Sequence, residues 1–226
     1  MSSSPSAASS AAPPARRSFL VPTLAKQCWG FMIGSALFAL GSIPGVDWPA
    51  ASIPNILFFV GAIFFTAAGF IQLFLSGAVS VPVSYAPGRM VRAEWLTAST
   101  QSFGTIMFNV STTAALAAKS ISSQEHYVWN PDAAGSVAFL VSGWVAFIAY
   151  SRKAPLWDPT QVGWWSTLIN FLGCVAFGIS AVGAFILPNG DVLSGAASTW
   201  GTFIGALCFL FASLIVLPRH KTAVNP

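Results

Sequence analysis

The sequence predicts an all-α polytopic membrane protein with six transmembrane helices arranged as three helical hairpins. Hydrophobic residues make up 55% of the 226 residues and charged residues only 7%, whereas soluble domains carry about 25% charge. Six stretches approach the roughly 20 apolar residues that a membrane helix needs, and none contains Asp, Glu, Lys, Arg or His. This composition excludes an ordinary soluble domain, a disordered chain and a nucleic-acid-binding protein.

The chain divides into three predicted parts. Residues 1–25 are rich in Ser, Ala and Pro and predict a disordered cytoplasmic tail. Residues 26–218 form the six-helix transmembrane domain, and residues 219–226 form a short basic cytoplasmic tail. Arg16 and Arg17 resemble a twin-arginine export signal, but membrane helices follow them instead of a soluble domain. We therefore interpret them as cytoplasmic anchors of the first span.

Proline, glycine and asparagine mark the breaks between the predicted spans. The spans cover residues 27–43, 54–76, 99–118, 133–150, 162–187 and 200–217. Pro fits the first turn of a helix or the stretch just past its end, and Gly fits a helix stop. Asn55 and Asp132 are expected at such helix starts, where they would accept free backbone N–H groups.

Loop charges predict the orientation. Nine of the ten basic residues fall on one side of the topology: Arg16, Arg17, Lys26, Arg89, Arg92, Arg152, Lys153, Arg219 and Lys221. Only Lys119 falls on the other side, together with the acidic residues Asp47, Glu125, Asp132 and Asp191. Because cytoplasmic loops carry the excess of Lys and Arg, both termini are predicted to be cytoplasmic.

Weak internal similarity suggests that the three hairpins are repeats. Residues 27–30 align with residues 101–104, and a third copy begins at Gln161. In this alignment Ser35, Asn109 and Asn170 coincide. In the even-numbered spans Gly61, Ser142 and Gly205 share a position. Hydrophobic sequences align easily, so the triplication stays a hypothesis.

Polar but uncharged side chains are the main functional clue inside the spans. The absence of ionisable groups disfavours pumps and proton-coupled carriers. The intramembrane polar residues are Ser35, Gln72, Asn109, Ser111, Thr112, Thr113, Ser166, Thr167, Asn170 and Ser180. One interpretation is a polar site shared by Ser35, Asn109 and Asn170 at the centre of the hairpins. The alternative is that these side chains form hydrogen bonds between helices.

Small residues predict close helix contacts. Gly30 and Gly34 stand four residues apart in the first span, as do Gly201 and Gly205 in the sixth. This spacing lets helix backbones approach each other. Contact between the first and last spans would close a ring of helices.

No catalytic constellation is visible in the sequence. The three cysteines are dispersed and fit no metal-binding spacing. Glu125, His126 and Asp132 could bind a metal, but their spacing is generic. We therefore expect no enzyme activity, no cofactor and no metal.

Several segments resemble those of YrhK-like bacterial membrane proteins. Residues 34–38 followed by 55–66 are similar to the hairpin of that family, and residues 129–136 and 201–210 are similar to segments of longer actinobacterial relatives. The resemblance implies a multi-pass protein of the bacterial inner membrane, and it carries over no catalytic residue.

The leading functional expectation is a non-enzymatic membrane subunit or scaffold that acts through helix packing. One alternative is a channel or carrier for a small neutral or polar solute, with Asn109 and Asn170 lining its site. A weaker alternative is a membrane enzyme acting on lipid. The expected partners are the lipid bilayer and other membrane proteins or further copies of the chain, and not nucleic acid.

Overall fold

A computed structural model describes residues 21–50, 52–83 and 87–218. Most of the predicted N-terminal tail, including Arg16 and Arg17, lies outside the described residues, as does the basic C-terminal tail. The first helix begins at Leu24, inside the segment assigned to the tail. Thr23 caps this helix, since its hydroxyl oxygen accepts a hydrogen bond from the Lys26 amide at 3.3 Å.

Six long helices make up most of the described chain. They are α1 (Leu24–Gly41), α2 (Ser52–Leu75), α3 (Ala93–Ala115), α4 (Ile121–Ser151), α5 (Val162–Gly183) and α6 (Gly195–Val216). The predicted span boundaries differ from these ends, most of all for α4, which was expected to start at residue 133. The predicted spans stopped at charged or turn-forming residues, whereas a helix continues wherever its backbone groups are paired.

Four of the helices, α2, α4, α5 and α6, are long and apolar enough to cross a membrane. Helix α1 has only 18 residues, and α3 carries many hydroxyl and amide side chains. The protein is therefore an all-helical, multi-pass membrane protein with four membrane-capable helices among its described residues. Six spans remain a prediction.

The helices pack as a closed ring. Each helix contacts its neighbours in chain order, and α1 also contacts α6. A Cβ on Gly30 would meet Ala68, and one on Gly34 would meet the Gly61 carbonyl, so α1 and α2 run antiparallel. We call the end of the ring at which α1 begins the basic end. We call the end at which α1 finishes the opposite end.

The start of α4 corrects the expected role of Asp132. Ser120 and Ser123 form a reciprocal capping box, which begins the helix at Ile121. A π-helical stretch, Gln124–Trp129, continues directly into the rest of α4. Asp132 therefore lies within a continuous helix and not at a helix start. Asn55 does lie in the first turn of α2, but its side chain donates to the Ala115 carbonyl at 3.3 Å.

The basic end carries a short β-hairpin that the sequence did not predict. Strands β1 (Ser80–Pro82) and β2 (Arg89–Val91) pair antiparallel. The Arg89 Nε donates to the Ser80 hydroxyl at 2.9 Å. This bond lies within the hairpin, whereas Arg92 donates to the Ser76 carbonyl at 3.1 Å and connects the hairpin to the end of α2.

Candidate functional site

Each of the six helices contains a glycine followed four residues later by a buried phenylalanine. The pairs are Gly34/Phe38, Gly61/Phe65, Gly104/Phe108, Gly135/Phe139, Gly173/Phe177 and Gly205/Phe209. A small residue follows each glycine, and each of these is at most 2% exposed: Ser35, Ala62, Thr105, Ser136, Cys174 and Ala206. This common spacing is present in the amino-acid sequence but was not among the predicted features.

The glycines make room for phenylalanines of the neighbouring helix. A Cβ on Gly61 would lie 2.7 Å from the Phe38 ring, and one on Gly104 would lie 2.6 Å from the Phe139 ring. Gly205 faces the Phe177 ring in the same way, at 2.7 Å. Contacts this short leave no space for a side chain larger than that of glycine. The six glycine–phenylalanine pairs therefore hold the phenylalanine rings in the middle of the bundle.

The six phenylalanines form one cluster, which we call the phenylalanine plug. Their rings contact each other across the ring of helices: Phe38 lies 5.1 Å from Phe65 and 6.2 Å from Phe177, and Phe139 lies 5.4 Å from Phe209. Edge-to-face geometry dominates, as in the pair Phe65 and Phe209 at 87°. The plug closes the centre of the bundle with apolar side chains.

On the basic side of the plug lies a cavity of about 180 Å³ lined by amide and hydroxyl groups, which we call the amide chamber. All six helices contribute a polar side chain: Gln27, Gln72, Gln101, Ser142, Asn170 and Ser213. The Gln72 Oε1 atom is buried and has no hydrogen-bond partner among the described residues. Phe209 of the plug forms part of the same wall. The chamber can therefore both donate hydrogen bonds to a polar guest and accept them from it.

The amide chamber continues toward the basic end of the ring. A neighbouring cavity of about 410 Å³ shares Gln27, Gln72 and Thr97 with it and also reaches Glu94 and Lys153. Lys153 Nζ donates to Glu94 Oε1 at 2.8 Å, and this pair joins α3 to α4. The hydrogen bond from Lys153 lowers the pKa of Glu94 below its usual value.

On the opposite side of the plug lies a second cavity, of about 360 Å³, which we call the Asp132 chamber. Phe38 and Phe177 of the plug form part of its wall. Its polar lining consists of Asn55, Ser111, Thr112, Asp132, Ser180, Ser198 and Thr202. Trp129 forms part of the wall as well. Its indole N–H donates to the Ala181 carbonyl at 2.8 Å, and this bond joins α4 to α5. The plug therefore separates two polar chambers.

The residues of the predicted shared site have different surroundings. Asn170 lines the amide chamber, and its only hydrogen-bond partner among the described residues is the Cys174 sulfur at 3.9 Å. Asn109 lines neither chamber. Its amide donates to the Ala62 carbonyl at 2.7 Å and to the Thr66 hydroxyl, so it joins α3 to α2. Ser35 is fully buried, and its hydroxyl has no partner among the described residues. No hydrogen bond of the described residues connects these three side chains.

The four glycines predicted to pack helices all lie at helix contacts, but not between α1 and α6. Gly30 and Gly34 face α2, with Ala68 and the Gly61 carbonyl nearest. Gly201 and Gly205 face α5 in the same way. Helix α1 also contacts α6, but none of the atoms nearest to a Cβ on these four glycines belongs to that contact.

The glycine contacts also give a repeat register that differs from the predicted one. In the structure Gly34, Gly104 and Gly173 occupy corresponding places, whereas the sequence alignment paired Gly30 with Gly104. That difference is four residues, about one helical turn. Gly61 and Gly205 correspond as predicted, but Gly135 stands where Ser142 was expected.

The residues considered for a metal, Glu125, His126 and Asp132, all lie in the first half of α4. No group of three or more His, Cys, Asp or Glu residues within the described ranges could hold a metal ion. The Nδ1 atom of His126 lies 3.0 Å from the Ser122 carbonyl oxygen of the same helix. This ring nitrogen is therefore engaged in a hydrogen bond within the helix.

The fold and the site define a class: a helical multi-pass membrane protein whose ring of helices encloses two polar chambers and an aromatic plug. No family model, no curated protein and no solved structure matches the chain. The resemblance to YrhK-like proteins stays a prediction.

Proposed function

We propose that the protein is a channel or carrier for a small polar solute, with the two chambers as its two access sites. The observation that carries this proposal is their placement on opposite sides of the phenylalanine plug. A protein that acts only by packing needs no polar space inside its bundle, because buried polar groups without partners are costly. A transport path explains why both ends of the bundle contain such space.

The proposal places all six helices across the bacterial inner membrane as three hairpins, with both termini in the cytoplasm. Helix α1 has 18 residues and would span about 27 Å, close to the roughly 30 Å of a bilayer core. Helix α3 buries Gln101, Ser102, Thr105 and Ser111 inside the bundle, so its polar side chains need not face lipid. The charge asymmetry between the two ends supports this orientation.

The size and lining of the chambers suggest the kind of solute. Cavities of about 180 and 360 Å³ hold a few small molecules each, since a water molecule occupies about 30 Å³. The amide chamber presents donors and acceptors but no charged side chain. A small polar molecule can replace its lost water contacts there.

The plug closes the path in the described conformation. Six buried rings fill the space between the chambers, and hydrophobic constrictions of this kind gate channels by excluding water. Passage of a solute therefore requires the rings to move, and we expect transport to be gated at the plug.

Solute flux into liposomes tests this function. Asn170→Leu keeps the side-chain shape but removes the hydrogen-bonding groups from the amide chamber. We expect urea or glycerol uptake, followed by stopped-flow light scattering, to fall by about threefold or more, as the loss of one hydrogen bond predicts. Asn109→Leu is the matched control, because Asn109 lies between helices and lines neither chamber. It should retain the flux and lose only about 0.6 kcal/mol of stability.

Absence of flux above empty liposomes for a folded wild-type protein would contradict transport. The subunit or scaffold role is the second candidate, and an apolar groove on the outside of α4 and α5 favours it. The groove has a volume of about 540 Å³ and is lined by residues such as Val137, Leu140, Ile179 and Val182. Native mass spectrometry that finds a stoichiometric protein companion would support this second role.

A further inference from the structure

We propose that the Asp132 chamber binds the ammonium group of a small amine at the Asp132 carboxylate. This inference rests on the proposed function, because it names the chemical class of solute that enters from the opposite end. It follows from the charge of the chamber, from the hydrogen bonds its lining already makes and from the charge of the surrounding loops.

Asp132 is the only ionisable side chain that the described part of the chain contributes to the chamber lining. Among the described residues, its carboxylate has neither a hydrogen-bond nor an ion-pair partner. A carboxylate held away from bulk water without a partner is unfavourable, and a cation in the chamber would remove this cost. The lone charge therefore points to a positively charged guest.

Several polar groups of the lining donate their protons to the protein itself, whereas the hydroxyls of Ser111 and Ser198 have no hydrogen-bond partner among the described residues. The Thr112 hydroxyl donates to the Phe108 carbonyl at 2.7 Å, and the Ser180 hydroxyl donates to the Ser198 carbonyl at 2.8 Å. Thr202 then donates to the Ser180 oxygen at 2.7 Å. The Asn55 amide nitrogen donates to the Ala115 carbonyl, and the Asn55 side-chain oxygen has no partner among the described residues. The carboxylate and the side-chain oxygens of the lining can all accept, since a hydroxyl turns its oxygen toward a donor, and they suit the N–H donors of an ammonium group.

Aromatic rings complete this lining. Phe58, Phe177 and Trp129 border the chamber, and the faces of such rings attract cations. An alkylammonium ion would thus find a carboxylate and several acceptor oxygens for its charged head and ring surfaces for its carbon atoms.

The opposite end also attracts cations over a longer range. Its loops and helix ends hold four acids, Asp47, Glu125, Asp132 and Asp191, but only one Lys or Arg, Lys119. A surface with this excess of acids raises the local concentration of cations near the chamber.

Binding of methylammonium to the full-length protein tests the inference. The protein is placed in nanodiscs of phosphatidylcholine and phosphatidylglycerol, and calorimetry measures the affinity of methylammonium. We expect Asp132→Asn to weaken binding by about tenfold or more, equivalent to about 1.4 kcal/mol. Asp191→Asn is the matched control, because Asp191 lies at the same end but is bonded to Asn189 within its loop. It should weaken binding far less than Asp132→Asn does, because it removes only part of the long-range attraction.

Competition identifies the source of the ammonium group. If phosphatidylethanolamine in the nanodisc abolishes methylammonium binding, the natural occupant is a lipid headgroup, and if it has no effect, the occupant is a free amine. Equal competition by potassium ions would overturn the assignment of an ammonium site. So would equal binding by folded Asp132→Asn, with folding checked by size-exclusion chromatography and thermal unfolding.

Flux and binding measurements separate this inference from the function on which it rests. Urea flux without methylammonium binding would overturn the inference alone. Methylammonium binding without flux of any solute would overturn transport and leave the binding site in place.

Discussion

Glycine 34 shows how single residues set the distance between helices in this protein. A Cβ at this position would lie 2.8 Å from the Gly61 carbonyl oxygen on α2. Neither backbone can move away without disturbing Phe38 and Phe65, which are 4% and 1% exposed. The glycine therefore supports both the helix contact and the position of the plug.

Substitution of this glycine should destabilise the fold. We expect Gly34→Ala to lower the free energy of unfolding by about 1–3 kcal/mol, the usual cost of overpacking a closely packed interior. Thermal unfolding in detergent, followed by circular dichroism, measures the loss. Gly163→Ala is the matched control, since its Cβ would meet the Tyr150 ring only at 3.5 Å. The control should be neutral or should gain up to about 1 kcal/mol, and an equal loss in both variants would contradict the account.

The sequence predicted some of these residues but not their arrangement. Gly30, Gly34, Gly201 and Gly205 were recognised from their spacing, and all four lie at helix contacts. The Gly-x-x-x-Phe spacing was missed because the alignment began from Gln27 and shifted the register by one turn. A search for one spacing common to all six helices would have found it. Which phenylalanines face inward depends on helix rotation, and tertiary packing sets that rotation.

At the scale of elements, α3 and α4 show where composition misled the prediction. The spans were ended at charged residues, yet α3 begins at Ala93 next to Glu94, and α4 begins at Ile121 ahead of Glu125. The number and order of the six helices agree with the sequence prediction. The β-hairpin at the basic end carried too little alternation over three-residue strands to be predicted.

The ion pair between α3 and α4 gives these elements a pH-dependent contact. The pKa of Glu94 is lowered by the hydrogen bond from Lys153. The pair therefore stabilises the fold above the pKa of the unfolded state, and this contribution is lost as the pH falls through the lower pKa of the folded state. Since both side chains are largely exposed, its size is limited to less than about 1 kcal/mol.

We expect Glu94→Gln to lower the thermal stability slightly at about pH 7 and to have no effect at an acid pH below the lowered pKa of folded Glu94, where the carboxyl is protonated in both states. Unfolding curves at both pH values measure the difference. Glu125→Gln is the control, because Glu125 takes part in neither ion pair of the described residues. A loss of stability in Glu94→Gln that persists at acid pH would show that the ion pair is not its cause.

At the scale of the whole molecule, the plug and the chambers depend on closure of the ring. Phe38 from α1 contacts Phe177 from α5, and Phe65 from α2 contacts Phe209 from α6. Each helix therefore places one phenylalanine ring in the plug. Polar side chains line a chamber on the basic side of the plug and another on the opposite side. Many of these polar residues were predicted to lie inside the spans, among them Gln72, Thr112 and Ser180, but their division between two chambers depends on how the helices pack.

The most direct test of this account is the barrier itself. Phe139 is fully buried, and Phe139→Ala would remove one ring of the plug at a cost of about 3–5 kcal/mol. Phe139→Leu is a milder second variant in case the first fails to fold, and Phe74→Ala, 75% exposed on α2, is the control. In liposomes the account predicts faster urea flux for the Phe139 variants than for wild type or Phe74→Ala. An unchanged flux for a folded Phe139 variant would contradict the claim that the plug separates two halves of one path.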